Sequence, residues 1–155
     1  EIGTGDWSSD VCSSDLPPQI VGFARAAELG VAEMGLEQKR LGELRSQLLT
    51  HLKQLPDIYL NGHPSQRLPG NLNVSFADVD GQSLLLGLQP VVALSSGSAC
   101  SSASTAPSHV LKALGRSDRL AYASLRFGLG RFTTAEDIDR VGQAVVDTVR
   151  SLRAL

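Results

Sequence analysis

From Pro17 onward, apolar residues recur at a helical period. Ile20, Phe23, Ala24, Ala27, Val31 and Met34 fall near one face. Leu41, Leu44, Leu48, Leu52 and Leu55 continue the stripe in steps of three, four, four and three. The pattern predicts a long amphipathic helix, or two in line, that ends before Pro56. Pro17 and Pro18 suit its first turn, and Gly30, Gly35 and Gly42 are places where it can bend. Glu37, Lys39, Arg40, Glu43 and Arg45 form its solvated face.

After Pro56 the period shortens. Residues 58–60 read as a strand, followed by a turn at Asn61 and Gly62. A second turn at Pro69 and Gly70 precedes NLNVSF (71–76), whose alternation of apolar and polar residues marks a strand. A turn over 78–81 caps a short helix over 82–87. VVAL (91–94) reads as a short buried strand. Residues 107–114 read as a helix stopped by Gly115, and SLRFGL (124–129) as a strand. Thr133 with Glu136 three positions later predicts a capping box. Ile138, Val141, Val145, Val149 and Leu152 then give the last helix one apolar face. Helix, strands with short helices between them, then helix: this order predicts an α+β layer, a small sheet with helices packed on one face.

Residues 1–16 (EIGTGDWSSDVCSSDL) show no period and are rich in Ser, Asp and Gly. They read as a non-native, adapter-like tail, or as a disordered linker, and are set apart from the domain expected over 17–155. The chain starts with Glu1 rather than Met, which reads as processing or as a fragment.

Composition narrows the function classes. The chain has 155 residues, enough for one domain with a real core. Fourteen basic against sixteen acidic residues leave a net charge of −2, which argues against a general nucleic-acid binder. No apolar run approaches the roughly 18 residues that span a bilayer. Two cysteines, Cys12 and Cys100, make no disulfide framework, so a reducing, cytoplasmic setting is expected. One cysteine in a loop and scattered histidines make no metal site.

The stretch that carries chemistry is SSGSACSSAST (95–105). It lacks bulky anchors and reads as an exposed loop with Cys100 near its centre. A thiol there is placed to act as a nucleophile to the extent that it ionises. The plain alternative is a small buried hydrophobe, although the flanking hydroxyls would then need many partners.

Here the residues resemble a family. VALSSGSACSSAS is similar to the active-site loop of cysteine desulfurases, pyridoxal-phosphate enzymes of the class V aminotransferase superfamily. IYLNG (58–62), NLNVSF (71–76), PSHVLKALG (107–115) and SLRFGLGRFTTAEDID (124–139) are similar in order and spacing. The resemblance covers 17–155 and implies the small C-terminal domain of a fold-type I enzyme. It implies that the parent enzyme converts L-cysteine to L-alanine and leaves a persulfide on Cys100. That sulfur would pass to an acceptor or scaffold protein for iron–sulfur cluster or thio-cofactor supply. A homodimer is implied for the full-length enzyme. Arg126 matches the arginine that binds the substrate carboxylate, and Asn71 lies near the substrate pocket. Ser95, Ser96 and Ser98 take no assigned role, and His51, His63 and His109 match no catalytic position.

The family's pyridoxal 5'-phosphate lysine, its ring-stacking histidine and its pyridine-pairing aspartate belong to sequence N-terminal to this part. Lys39, Lys53 and Lys112 fall in expected helices, outside the lysine motif. The chain alone is therefore expected to be inactive, and to expose apolar surface along the helix of 19–55. Two other functions stay open. One is a stand-alone sulfur-carrier or interaction module that uses Cys100 without a cofactor. The other is a selenocysteine lyase-like enzyme.

Overall fold

A computed structural model of the protein describes residues 17–96 and 107–154. Cys100, Ser98 and residues 1–16 lie outside the described residues. The chain divides into two compact units at Leu36 and Glu37. A helix, α1, is formed by Pro17–Leu52. In the first unit its side chains Ile20, Val21, Phe23, Val31, Met34 and Leu36 are exposed, and Arg25 pairs with Glu28 at 2.9 Å. The apolar exposure expected of this helix is thus confined to its first half, because Leu44, Leu48 and Leu52 are buried.

The second unit holds the sheet. Strands β1 (Ile58–Leu60), β2 (Asn71–Phe76), β3 (Ser95–Ser96) and β4 (Ser124–Gly128) lie in the order β1-β2-β4-β3. Every neighbouring pair is antiparallel. Side chains alternate between the faces of a strand. One face therefore carries Leu72, Val74 and Phe76 from β2 with Leu125 and Phe127 from β4, all buried. Helix α2 (Gly81–Leu88), helix α5 (Ala135–Arg153) and the second half of α1 supply the rest of that core through Leu84, Leu88, Ile138, Val145, Val146, Val149, Leu48 and Leu52. The fold is the expected α+β layer. In addition, the segment of α3 (His109–Ala113) and α4 (Asp118–Tyr122) bears on the second face of the sheet.

Three local expectations shift, each for a physical reason. Residues 91–94 form no strand. The N–H groups of Val91 and Val92 both donate to the Leu88 carbonyl at 3.0 Å, so they cannot join a ladder, and pairing with β4 begins only at Ser95. The capping box at α5 is one residue later than expected. Thr133 instead accepts from the Gly130 N–H at 3.0 Å. Thr134 is the N-cap, and its hydroxyl accepts from the Asp137 N–H while Asp137 accepts from the Thr134 N–H. Helix α4 was not expected. Its signal is short: Ser117 caps it by accepting from Leu120 N–H, and Asp118 opens the first turn.

Side chains tie the layers together. His51 and Gln47 of α1 reach Asp139 of α5 at 2.8 and 2.6 Å. Arg40 donates to the carbonyls of Gly130, Arg131 and Thr133 and so fixes the loop that leaves β4. Arg153 donates to the carbonyls of Pro56 and Ala77. Among the described residues no helix is long and apolar enough to cross a membrane, and no cluster of potential metal ligands occurs.

Gly81 starts α2 directly against the Tyr122 carbonyl, where a Cβ would collide with backbone. Gly81→Ala is expected to destabilise the domain by about 1–3 kcal/mol, read by urea unfolding. Hydrogen bonds from Ser83 hold the Asp80 carboxyl below its usual range. Those from Thr134 do the same for Asp137, and those from His51 and Gln47 for Asp139. A depressed folded-state value stabilises the fold above the unfolded value of about 3.9. That contribution is lost as pH falls through the folded-state values. The urea midpoint should therefore drop between pH 6 and pH 3, and less so in Asp139→Asn.

Candidate functional site

The polar face of the sheet carries the candidate site. Register places Asn73 opposite Arg126, and Arg126 opposite Ser95. Asn61, just past β1, donates its backbone N–H to the Asn73 carbonyl at 2.9 Å. Asn61, Asn73, Arg126 and Ser95 thus form one polar row across the full width of the sheet. It exists because β2 and β4 keep their apolar residues at alternate positions, which sends the intervening ones to this face.

One end of the row is locked by a buried network. Asn61 is 4% exposed, Ser75 0% and Ser124 1%. Asn61 Nδ2 donates to Asn73 Oδ1 at 2.7 Å and to Ser75 Oγ at 2.8 Å. Asn61 Oδ1 accepts from Arg116 Nε at 2.6 Å. Ser124 Oγ donates its one proton to the Leu120 carbonyl at 2.7 Å. The 2.7 Å contact between Ser75 and Ser124 is therefore donated by Ser75. Arg116 also donates to the Leu60 carbonyl at 2.9 Å and stacks 5.3 Å from the Tyr59 ring centre. Arg67 donates to the Asn61 carbonyl at 2.7 Å. Among the described residues no buried side-chain nitrogen or oxygen lacks a partner.

The other end is open. Arg126 is exposed. Its one contact among the described residues is a long 3.3 Å hydrogen bond from NH2 to Ser95 Oγ, and no carboxylate there pairs with it. A guanidinium with its fork unspent suits a planar anion such as a carboxylate. Asn71 also lies on this face, opposite Gly128, two residues along β2 from Asn73. Asn73, not Asn71, is the asparagine directly across from Arg126. Sequence reasoning missed Asn73, Asn61 and Arg116. The alternation in NLNVSF places Asn73 on the polar face, but only the register puts it beside Arg126.

The cavities lie elsewhere. One of about 290 Å³ is lined by Leu48, Val92, Leu94, Phe127, Ile138 and Val141, on the apolar side of the sheet. A second of about 610 Å³ lies among residues 78–83, Arg119 and Tyr122, where Arg119 pairs with Asp78 at 3.1 Å. We place the site at Arg126 rather than in either cavity, because among the described residues no carboxylate pairs with its guanidinium, whereas Arg140 and Arg119, which line the two cavities, are paired with Asp137 and Asp78. β3, which flanks Arg126, leads directly into residues 97–106 and Cys100.

The model of one family, aminotransferase class-V, matches residues 14–141. The chain belongs to the aminotransferase class-V family. Among its class-V relatives is the mitochondrial cysteine desulfurase of Arthroderma benhamiae, 52% identical over 139 residues, which cover 90% of this chain and 27% of that protein. The cysteine desulfurase IscS of Methylococcus capsulatus is 48% identical over 137 residues, 88% of this chain and 34% of that protein. The solved NifS-like protein from Rickettsia africae superposes with a TM-score of 0.72 at 25% identity, over 83% of this chain and 33% of that one. The chain spans about a third or less of the length of these relatives.

Ser75→Ala leaves one Asn61 N–H without its acceptor in a fully buried site. It is expected to cost about 1–3 kcal/mol in urea unfolding, with the sheet retained by circular dichroism.

Proposed function

We propose that residues 17–155 are the small C-terminal domain of a cysteine desulfurase. The full-length enzyme takes L-cysteine to L-alanine and carries the sulfur as a persulfide for transfer to an acceptor protein. What supports this most is the open guanidinium of Arg126 on a strand beside the segment that leads to Cys100. The names of relatives at about half identity agree with it.

Arg126 holds the carboxylate of L-cysteine through its fork, and so orients the substrate sulfur. Cys100 is the nucleophile. Its thiolate attacks the substrate sulfur, the substrate's carbon–sulfur bond breaks, and a sulfur–sulfur bond forms. The carbon released takes up a proton and leaves as alanine, so one thiol and one cysteine give one persulfide and one alanine. A Ser- and Gly-rich segment without bulky side chains suits a thiol that must meet substrate and then an acceptor. Asn71, two residues along β2 from Asn73, lies on the same face and would border the bound substrate.

Pyridoxal phosphate, when bound, supplies the electron sink that makes this bond labile. The described residues do not fit it. Lys39, Lys53 and Lys112 are all exposed, and Lys112 is paired with Asp118 at 2.9 Å. In this proposal the cofactor is held by other parts of the enzyme, and this domain supplies the carboxylate clamp and the thiol. A cytoplasmic setting and a dimeric holoenzyme belong to the same proposal.

In the full-length enzyme, Arg126→Ala should raise KM for L-cysteine at least tenfold, and Cys100→Ser should stop both alanine and persulfide formation. An unchanged KM would remove Arg126 from the site. The 155-residue chain alone, mixed with pyridoxal phosphate and L-cysteine, should release no alanine, and turnover there would overturn the partial-enzyme assignment.

A further inference from the structure

We propose that Asn73 is a second donor for the substrate carboxylate beside Arg126, and that Asn61 and Arg116 are positioning residues that hold its amide in that role. This rests on Arg126 being the carboxylate site.

An asparagine amide has a donor end and an acceptor end, and which end faces a site decides what it does there. If the Asn73 oxygen faced Arg126, it would accept from the guanidinium and spend part of its fork. The network prevents this. Asn61 Nδ2 donates to Asn73 Oδ1 at 2.7 Å, so the Asn73 oxygen is committed to the side of β1. The Asn73 NH2 is then left for the other side. No described residue accepts from it, and its register partner is Arg126. Directly opposed residues of antiparallel strands have Cβ atoms about 4.5–5.5 Å apart, so one carboxylate can be reached by both side chains.

Asn61 cannot itself reverse, because Arg116 Nε donates to its oxygen at 2.6 Å. A reversed Asn61 would set its NH2 against a guanidinium. Arg116 is in turn held by the Leu60 carbonyl and the Tyr59 ring. The positive charge of Arg116 therefore orders two amides in series, each presenting its donor end towards the next acceptor. In a buried setting such a chain also polarises its members in the same sense. Nothing in stabilising the sheet requires Asn73 to present its donor to Arg126.

A structural role and a positioning role both lower stability when the network is cut, so the test reads KM against kcat in the full-length enzyme with L-cysteine. Asn73→Ala should raise KM on the order of tenfold, with kcat changing much less. Asn61→Asp keeps the acceptor for Arg116 but turns an acceptor towards Asn73. The Asn73 amide should then reverse, and KM should again rise on the order of tenfold while the circular dichroism spectrum is kept. Arg116→Lys removes the Nε donor and serves if Asn61→Asp fails to fold; it should raise KM in the same direction. Arg126→Ala is the reference. If Arg126→Ala raises KM and Asn73→Ala leaves it within twofold, the second donor is refuted while the carboxylate site stands. If Asn73→Ala raises KM and neither Asn61→Asp nor Arg116→Lys does, the positioning role is refuted. If Arg126→Ala leaves KM unchanged, the carboxylate site itself falls, and the second donor with it.

Discussion

The pairing register of β2 with β4 is the constraint on which the site depends. Leu72 meets Phe127 and Val74 meets Leu125 on the core face, while Asn73 meets Arg126 and Ser75 meets Ser124 on the other. A slip of one residue would reverse every side chain of one strand. It would drive a guanidinium among Leu48, Leu88 and Val145, or expose Phe127. Burying an unpaired charge costs far more than the domain's stability can bear. Hydrophobic burial on one face therefore fixes the polar row on the other.

The polar row divides into two regimes. At the β1 end, Asn61, Ser75 and Ser124 are dry and every hydrogen bond is accounted for, so that end is stiff. At the β3 end, Arg126 is exposed and weakly held. A binding site needs this combination: a fixed scaffold behind donors that are still unspent. The loop after β4 is pinned from α1 by Arg40, which keeps the strand end that carries Arg126 in place. In sequence, β3, which lies beside Arg126, is followed by residues 97–106, which include Cys100. The carboxylate clamp proposed at Arg126 thus neighbours, in sequence, the segment that holds the thiol.

Much of this was legible in the sequence where the signal is periodic. The leucine stripe of α1, the alternation in NLNVSF and the apolar face of α5 each gave the element that forms. Arg126 was singled out by its motif. What could not be read follows from effects that leave no local trace. VVAL has the composition of a strand, yet Val91 and Val92 spend their N–H groups on Leu88 and form a turn. The capping box moved by one residue because Thr133 is engaged by Gly130. That Asn73 rather than Asn71 faces Arg126 depends on the register across strands 49 to 57 residues apart, which no local pattern shows. Arg116 sits in the short connection between α3 and α4, and only tertiary contact joins it to Asn61.

The most direct test of the polar row is a crystal structure of the full-length enzyme soaked with L-alanine, the product that keeps the carboxylate and lacks the sulfur. The carboxylate should lie within hydrogen-bond distance of the Arg126 guanidinium, with Asn73 Nδ2 as a further donor. A carboxylate bound elsewhere, with Arg126 still directed at Ser95, would contradict the assignment of this face as the substrate site.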